Sequence, residues 1–205
     1  MRKEFYLAVS ERLMHSYRLS DGSIQQIYKE EDVPEGAEHI IQHADLWNNN
    51  VEYIEQETNW PRPAVFVEFR PILWERMTTR GANGYQARAE VRLHIVTDWK
   101  GGASSEYSNE MRLQSIEDLD LSEQIHTVML GLHGDHFGDV EIQATLTNHN
   151  HEELIENVEV YNVTFVRSIE KKTQRIRVPM DATFKTGETQ KTRVTGPDLS
   201  GNGTN

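Results

Sequence analysis

The chain has 205 residues with 33 acidic and 21 basic side chains, a formal charge of -12, and no cysteine. That charge argues against a protein whose main task is neutralising nucleic-acid phosphates, and the missing thiols exclude disulfides, thiol catalysis and cysteine-ligated zinc. The length suits one well-packed domain plus a tail, while 37% hydrophobic residues and a mean hydropathy of -0.67 predict a face or segment left unburied in the lone chain.

The basic N-terminus is not followed by the apolar run of a secretory signal, and no window approaches the roughly 20 apolar residues of a membrane span. Synthesis in the cytosol without a membrane anchor is the expectation. Residues 3–17 place Phe5, Val9, Leu13 and Tyr17 four apart, which predicts a helix with one apolar face. Asp21-Gly22 and Pro34-Glu35-Gly36 then favour turns around a short extended piece at 24–28. Residues 40–41 read as extended, and 44–57 bring Leu46 or Trp47, Val51 and Ile54 onto one stripe, which predicts a second helix.

Trp60-Pro61-Arg62-Pro63 ends that helix and delivers the chain into a strand, because proline lacks a donor and biases its predecessor to extended geometry. The strand is Ala64 to Phe69, apolar on both faces at first. The turn Gly81-Ala82-Asn83-Gly84 leads into residues 87–97, where Ala89, Val91, Leu93 and Ile95 alternate inward against Arg88, Glu90, Arg92 and His94, expected on a wet surface or a neighbouring subunit. After a flexible link at 100–105, residues 115–132 resume the helical period through Leu121, Ile125, Val128 and Leu132, with Gly134 expected to end the helix in a left-handed conformation. Val140, Ile142, Ala144 and Leu146 alternate, 147–153 form a hairpin-like connection, and 158–168 make the last strand, with a bulge expected where its inward set shifts. Residues 169–205 cannot form their own core. From 169 to about 185 an arm along a neighbour is expected, anchored by Ile176, Val178, Met180 and Phe184; from about 186 onward disorder in the free subunit is expected.

The order of elements disfavours a parallel nucleotide-binding sheet. It predicts an α+β fold: a mainly antiparallel four-stranded sheet with helices packed on one face, over residues 1–168, and an extended C-terminal arm and flexible tail over 169–205. Candidate chemistry is sparse. His126, His133 and His136, with His149 and His151 further on, would bind zinc only if they converged with Asp135 into a supported tetrahedral set; the ordinary reading is turn or interface histidines. Glu68 on one strand with Glu90 or Glu141 on others would make an acid–base pair, but 33 acids supply such pairs by chance. No serine sits in a nucleophile-elbow context, and no glycine-rich phosphate loop precedes a helix. The expectation is no catalytic residue, no cofactor and no metal. Four tryptophans, Trp47, Trp60, Trp74 and Trp99, fall at element ends, where they either pack as core lids or anchor a subunit interface. Arg70, Arg76, Arg80, Arg88 and Arg92 in the same region would meet carboxylates of an adjacent copy, as head-to-tail rings require. The candidate interface is therefore Trp74, Arg76, Arg80, Arg88, Arg92 and Trp99, joined by Ile176, Val178, Met180 and Phe184 of the arm.

The N-terminal helix, the lead-in Trp60-Pro61-Arg62-Pro63 to AVFVEF, the long strand ARAEVRLHIVTDW, the helix ending LGLHG and the closing NVTFVRS together resemble the tail-terminator or tail-completion family of tailed bacteriophages, in the version carried by phages of Bacteroidetes-type hosts. The resemblance covers residues 1–168 and rests on strand and helix patterns rather than catalytic signatures. It implies a virion structural protein, a ring at the tail or head–tail junction (neck) that joins the tail tube to the portal or connector. Hexamers are usual in the family, and dodecamers follow the portal. DNA would pass only as cargo through the lumen. The long C-terminal extension and the 19–43 insertion depart from the pattern. The rival readings are a small metal-assisted hydrolase and a cytoplasmic assembly adaptor or chaperone.

Overall fold

Burying every fourth residue of the first segment produces a helix, α1 (Arg2–Met14), with Phe5, Val9 and Leu13 fully buried. A computed structural model describes residues 1–49, 60–77, 84–98, 108–148 and 154–169. Glu4 in the first turn and Arg12 in the last complement the helix dipole. Beyond α1 the chain folds into a small antiparallel sheet of β1 (Ser16–Arg18), β2 (Ile24–Gln26) and β3 (Glu38–His39), in the order β2-β1-β3. The β1–β2 reversal uses Gly22 at φ 82°, and the Asp21 carboxylate accepts a 2.9 Å hydrogen bond from the Ser23 N–H.

The second expected helix is corrected at its start. Residues 43–46 form β4 (His43–Leu46), parallel to β5 (Ala64–Phe69), with Ala44 opposite Val65 and Leu46 opposite Val67. Pairing with a partner distant in sequence overrides a local helical stripe. The rest of that expected helix, from 50 on, lies outside the described residues, as does the 100–105 link. A short strand, β6 (Glu75–Arg76), pairs with the long β7 (Gly84–Asp98). Gly84 is required there, because a β-carbon would lie 2.6 Å from the Arg167 carbonyl oxygen.

Helix α2 (Asn109–Met129) starts earlier than the sequence predicts and stops sooner. The left-handed glycine after it is Gly131, at φ 69°, not Gly134. Gly134 is needed for packing instead, since the Phe137 ring fills the space a side chain would take. Two long strands follow, β8 (Phe137–Asn148) and β9 (Leu154–Ser168). The register irregularities lie on β8, between Gly138 and Glu141 and between Ile142 and Ala144, rather than in the last strand where the sequence placed a bulge.

These strands correct the expected fold class. Among the described residues the main sheet is six-stranded and mixed, in the order β4-β5-β7-β9-β8 with β6 beside β7, and only β4–β5 is parallel. With the three-stranded sheet, the described residues are mostly β with two α-helices, not a four-stranded antiparallel sheet under a helical layer. The missed strands are two to four residues long, too short to leave a period in the sequence. Phe5, Val9 and Leu13 of α1 and Leu121, Ile125, Val128 and Met129 of α2 share one core with Val65, Val67, Val91, Leu93, Ile95, Tyr161, Val163 and Phe165. Phe5 sits at its centre, edge-on to Phe137, Phe165 and Phe69 at 5.1, 5.8 and 5.9 Å. On the opposite sheet face, Trp60 and Trp47 cover Ala64, Phe66, Val96 and Leu154. The chain divides into two units, Met1–Glu170 and Lys171–Asn205, of which the second lies outside the described residues.

Candidate functional site

Residues directly opposite in an antiparallel pair share a face. The pairs Phe66–His94, Glu68–Arg92, Val96–Glu156 and His94–Val158 therefore put Glu68, Arg92, His94 and Glu156 together on the face away from the helices. His94 is the centre of this group. Its Nδ1 lies 2.6 Å from Glu156 Oε1 and its Nε2 3.2 Å from Glu68 Oε2. The Trp47 indole stacks on the imidazole, with centroids 3.8 Å apart and planes within 4°. Glu156 also accepts from Asn148 Nδ2 at 2.7 Å, and Glu68 from Arg70 at 3.0 Å, while Arg92 donates to Glu90 at 2.7 Å. Burial alone would raise the Glu68 pKa, but hydrogen bonds from Arg70 and His94, and their charges, hold it below the ordinary carboxylate value.

His94 is buried, which corrects the expectation that it faces a wet surface or a neighbour. The sequence hint was its position just before Ile95-Val96, inside a run that loses its alternation; its partner Glu156 sits in a β9 that begins four residues before the predicted strand. The imidazole can donate to both carboxylates only when both ring nitrogens carry protons. Clamped in this way, with an indole on its face, the ring offers no free nitrogen to a metal or substrate. The arrangement ties β5, β7, β9 and β8 together.

Under α2 lies a second polar group. Glu159, 2% exposed, accepts a hydrogen bond from the Tyr161 hydroxyl, which stands 3.4 Å from His126 Nδ1. Burial raises the Glu159 pKa and the Tyr161 bond offsets this only in part. Burial and the adjacent carboxylate likewise raise the Tyr161 pKa.

The other histidines disperse to separate partners. His133 Nδ1 lies 2.9 Å from the Gly131 carbonyl, and His136 Nδ1 lies 2.8 Å from Glu4, tying the start of α1 to the loop before β8. Among the described residues no group of three or more His, Asp or Glu is placed to hold a metal ion. His149 and His151 lie outside them. Of the expected carboxylate pairs, Glu68 and Glu90 are bridged by Arg70 and Arg92, and Glu141 pairs with Arg88.

The candidate interface residues fall into four groups. Trp74 is half-buried against the main core. Arg88 and Arg92 pair with carboxylates of their own chain. Arg76 is exposed on β6 and lines, with Leu73, Met77 and Arg88, a groove of about 480 Å³. Arg80, Trp99, Ile176, Val178, Met180 and Phe184 lie outside the described residues.

Sequence reasoning did not single out strand β8. It forms one end of the main sheet, so its outer backbone edge has no partner strand among the described residues. Every residue from Glu141 to Thr147 is exposed, including Ile142 at 39% and Leu146 at 52%. Long, weakly charged edges of this kind pair readily with another strand. No protein-family model matches this chain, and no curated protein matches it in sequence. No helix among the described residues is long and apolar enough to cross a membrane.

Proposed function

We propose that this chain is a structural subunit of an oligomeric ring in a tailed-phage virion, at the tail or the head–tail junction, where the ring joins the tail tube to the connector. The observation that carries the reading is β8, a 12-residue edge strand whose residues Glu141 to Thr147 are exposed on both faces, with Ile142 and Leu146 in solvent. Covering such an edge with another chain removes apolar area at about 25 cal/mol per Å² and satisfies a row of backbone groups at the same time. Repeated head-to-tail, one such contact per subunit closes a ring. The excess of 33 acidic over 21 basic residues suits a lumen that repels a passing duplex rather than gripping it. The ring is non-enzymatic, made in the bacterial host cytoplasm, and holds DNA only as cargo. Its phage assignment rests on the resemblance of residues 1–168.

Light scattering of the purified chain, followed by electron microscopy, tests this directly. The expected result is a hexameric or dodecameric mass and annular particles. A chain that stays monomeric at high concentration, with tail-tube and connector proteins present, contradicts it.

A further inference from the structure

We propose that β8 receives, as an added antiparallel strand, residues 174–181 from the arm of a second copy of this chain. The inference rests on the ring reading above and names the joint between subunits.

The free groups on β8 can be worked out from one hydrogen bond. The Val166 N–H donates to the His136 carbonyl at 2.9 Å, so on β9 the residues of Val166's face point their N–H groups toward β8. Val158 and Val160 lie on that face, opposite Leu146 and Ala144. Leu146 and Ala144 therefore spend their backbone groups on β9. Thr145, Thr147 and Ile142, on the helix side, turn theirs outward.

The arm has the charge and the pattern to meet that edge. Residues 170–205 hold seven basic and four acidic side chains, which leaves 14 basic and 29 acidic for residues 1–169. A cationic arm thus meets an anionic body. Ile176, Val178 and Met180 alternate with Arg175, Arg177 and Pro179. Placed antiparallel with Val178 opposite Thr145 and Ile176 opposite Thr147, the apolar residues bond to β8 and lie on the side of Ile142, with Met180 beside it. The odd-numbered residues then turn their backbone away from β8. Pro179, which has no N–H, falls on the new outer edge, where the lack of a donor is harmless and blocks a further strand.

The chain's own arm cannot make this pairing. It leaves β9 at Ser168, beside the start of β8, since Phe137 pairs with Phe165. An antiparallel partner must start at the far end, by Asn148, which lies opposite Glu156. Twelve residues of β9 separate Glu156 from Ser168, about 40 Å at strand rise, while the five residues 169–173 span at most about 18 Å. An antiparallel occupant of this edge is therefore supplied by a second copy.

The absence of native cysteine makes the test clean. Leu146 would face Arg177 in a non-hydrogen-bonded pair, where α-carbons about 4.5 Å apart suit a disulfide. The full chain carrying Leu146→Cys and Arg177→Cys should give a ladder of covalent multimers under mild oxidation, and a mixture of the two single variants should give crosslinked dimers. Gln25→Cys with Arg177→Cys, using an exposed position on β2, should give neither. Crosslinks confined to monomers would place the arm on its own β8 and overturn the inference. Multimers seen by light scattering with no crosslinking above the Gln25 control would overturn this joint while leaving the ring reading standing. A monomeric chain without crosslinks would sink both.

Discussion

Strands β8 and β9 lie side by side in one sheet, yet they have opposite surroundings. Every residue of β9 from Leu154 to Tyr161 is buried, so both of its faces are covered. On β8 every residue from Glu141 to Thr147 is exposed, so no described residue covers either face there. Pairing supplies the backbone bonds of β8 on one side only, and the helical layer that buries Tyr161 leaves its cross-strand neighbour Ile142 in solvent. The difference teaches that, among the described residues, this sheet is covered on both faces at β9 and uncovered at β8.

Substitutions that separate folding from assembly should break the two strands apart. Phe165→Ala in β9 removes a fully buried ring from the Phe5 cluster and should cost about 3–5 kcal/mol in chemical denaturation, while Ile142→Ala in β8 should stay within about 0.5 kcal/mol in the dissociated chain. Equal losses at the two sites would mean that β8 is as buried as β9. His94→Ala should follow at about 3 kcal/mol, because it strips Glu68 and Glu156 of the ring between them, on the well-covered side of the sheet. A near-neutral result would show that the clamp does not tie the strands.

The buried carboxyl of β9 gives a prediction in pH. With its folded pKa raised by burial, Glu159 binds its proton more readily in the folded chain than in the unfolded one, so it lowers stability as pH rises above the ordinary carboxylate value. Glu159→Gln keeps an acceptor for the Tyr161 hydroxyl and removes the titration. It should raise the melting temperature near pH 7 and change it little near pH 4. Glu68 has the opposite sign: its lowered pKa contributes stability at neutral pH that is lost as pH falls through the folded value. A similarly small effect belongs to a surface ion pair between β7 and β8. Arg88→Ala breaks an ion pair with Glu141 in which both side chains are 62% exposed, and should cost under about 1 kcal/mol, less in high salt.

Much of this sheet could be read in the residues. The four-apart spacing of Phe5, Val9 and Leu13 located α1, and the alternation of Ala89 to Ile95 located β7 and its core side. What could not be read depended on partners distant in the chain. Ala44 to Leu46 have a helical stripe, and only the parallel partner Val65 to Val67 makes them a strand. His94 looked solvent-facing because its alternation put it with Arg88 and Arg92, and nothing local shows that Trp47, Glu68 and Glu156 close around it. The open character of β8 was hidden for the same reason. Val140, Ile142, Ala144 and Leu146 alternate as a half-buried strand would, but two register shifts break the alternation across the faces, and among the described residues no layer covers either side.

The central claim, that β8 is one half of a subunit contact, is tested most directly by the mass in solution of the full chain beside a variant with Ile142→Lys and Leu146→Lys. Lysines on an exposed edge block strand pairing at little cost to the fold. Light scattering should give a closed multimer for the natural chain and a folded monomer for the variant, with unchanged circular dichroism. Two multimers of equal mass, or two monomers, would contradict it.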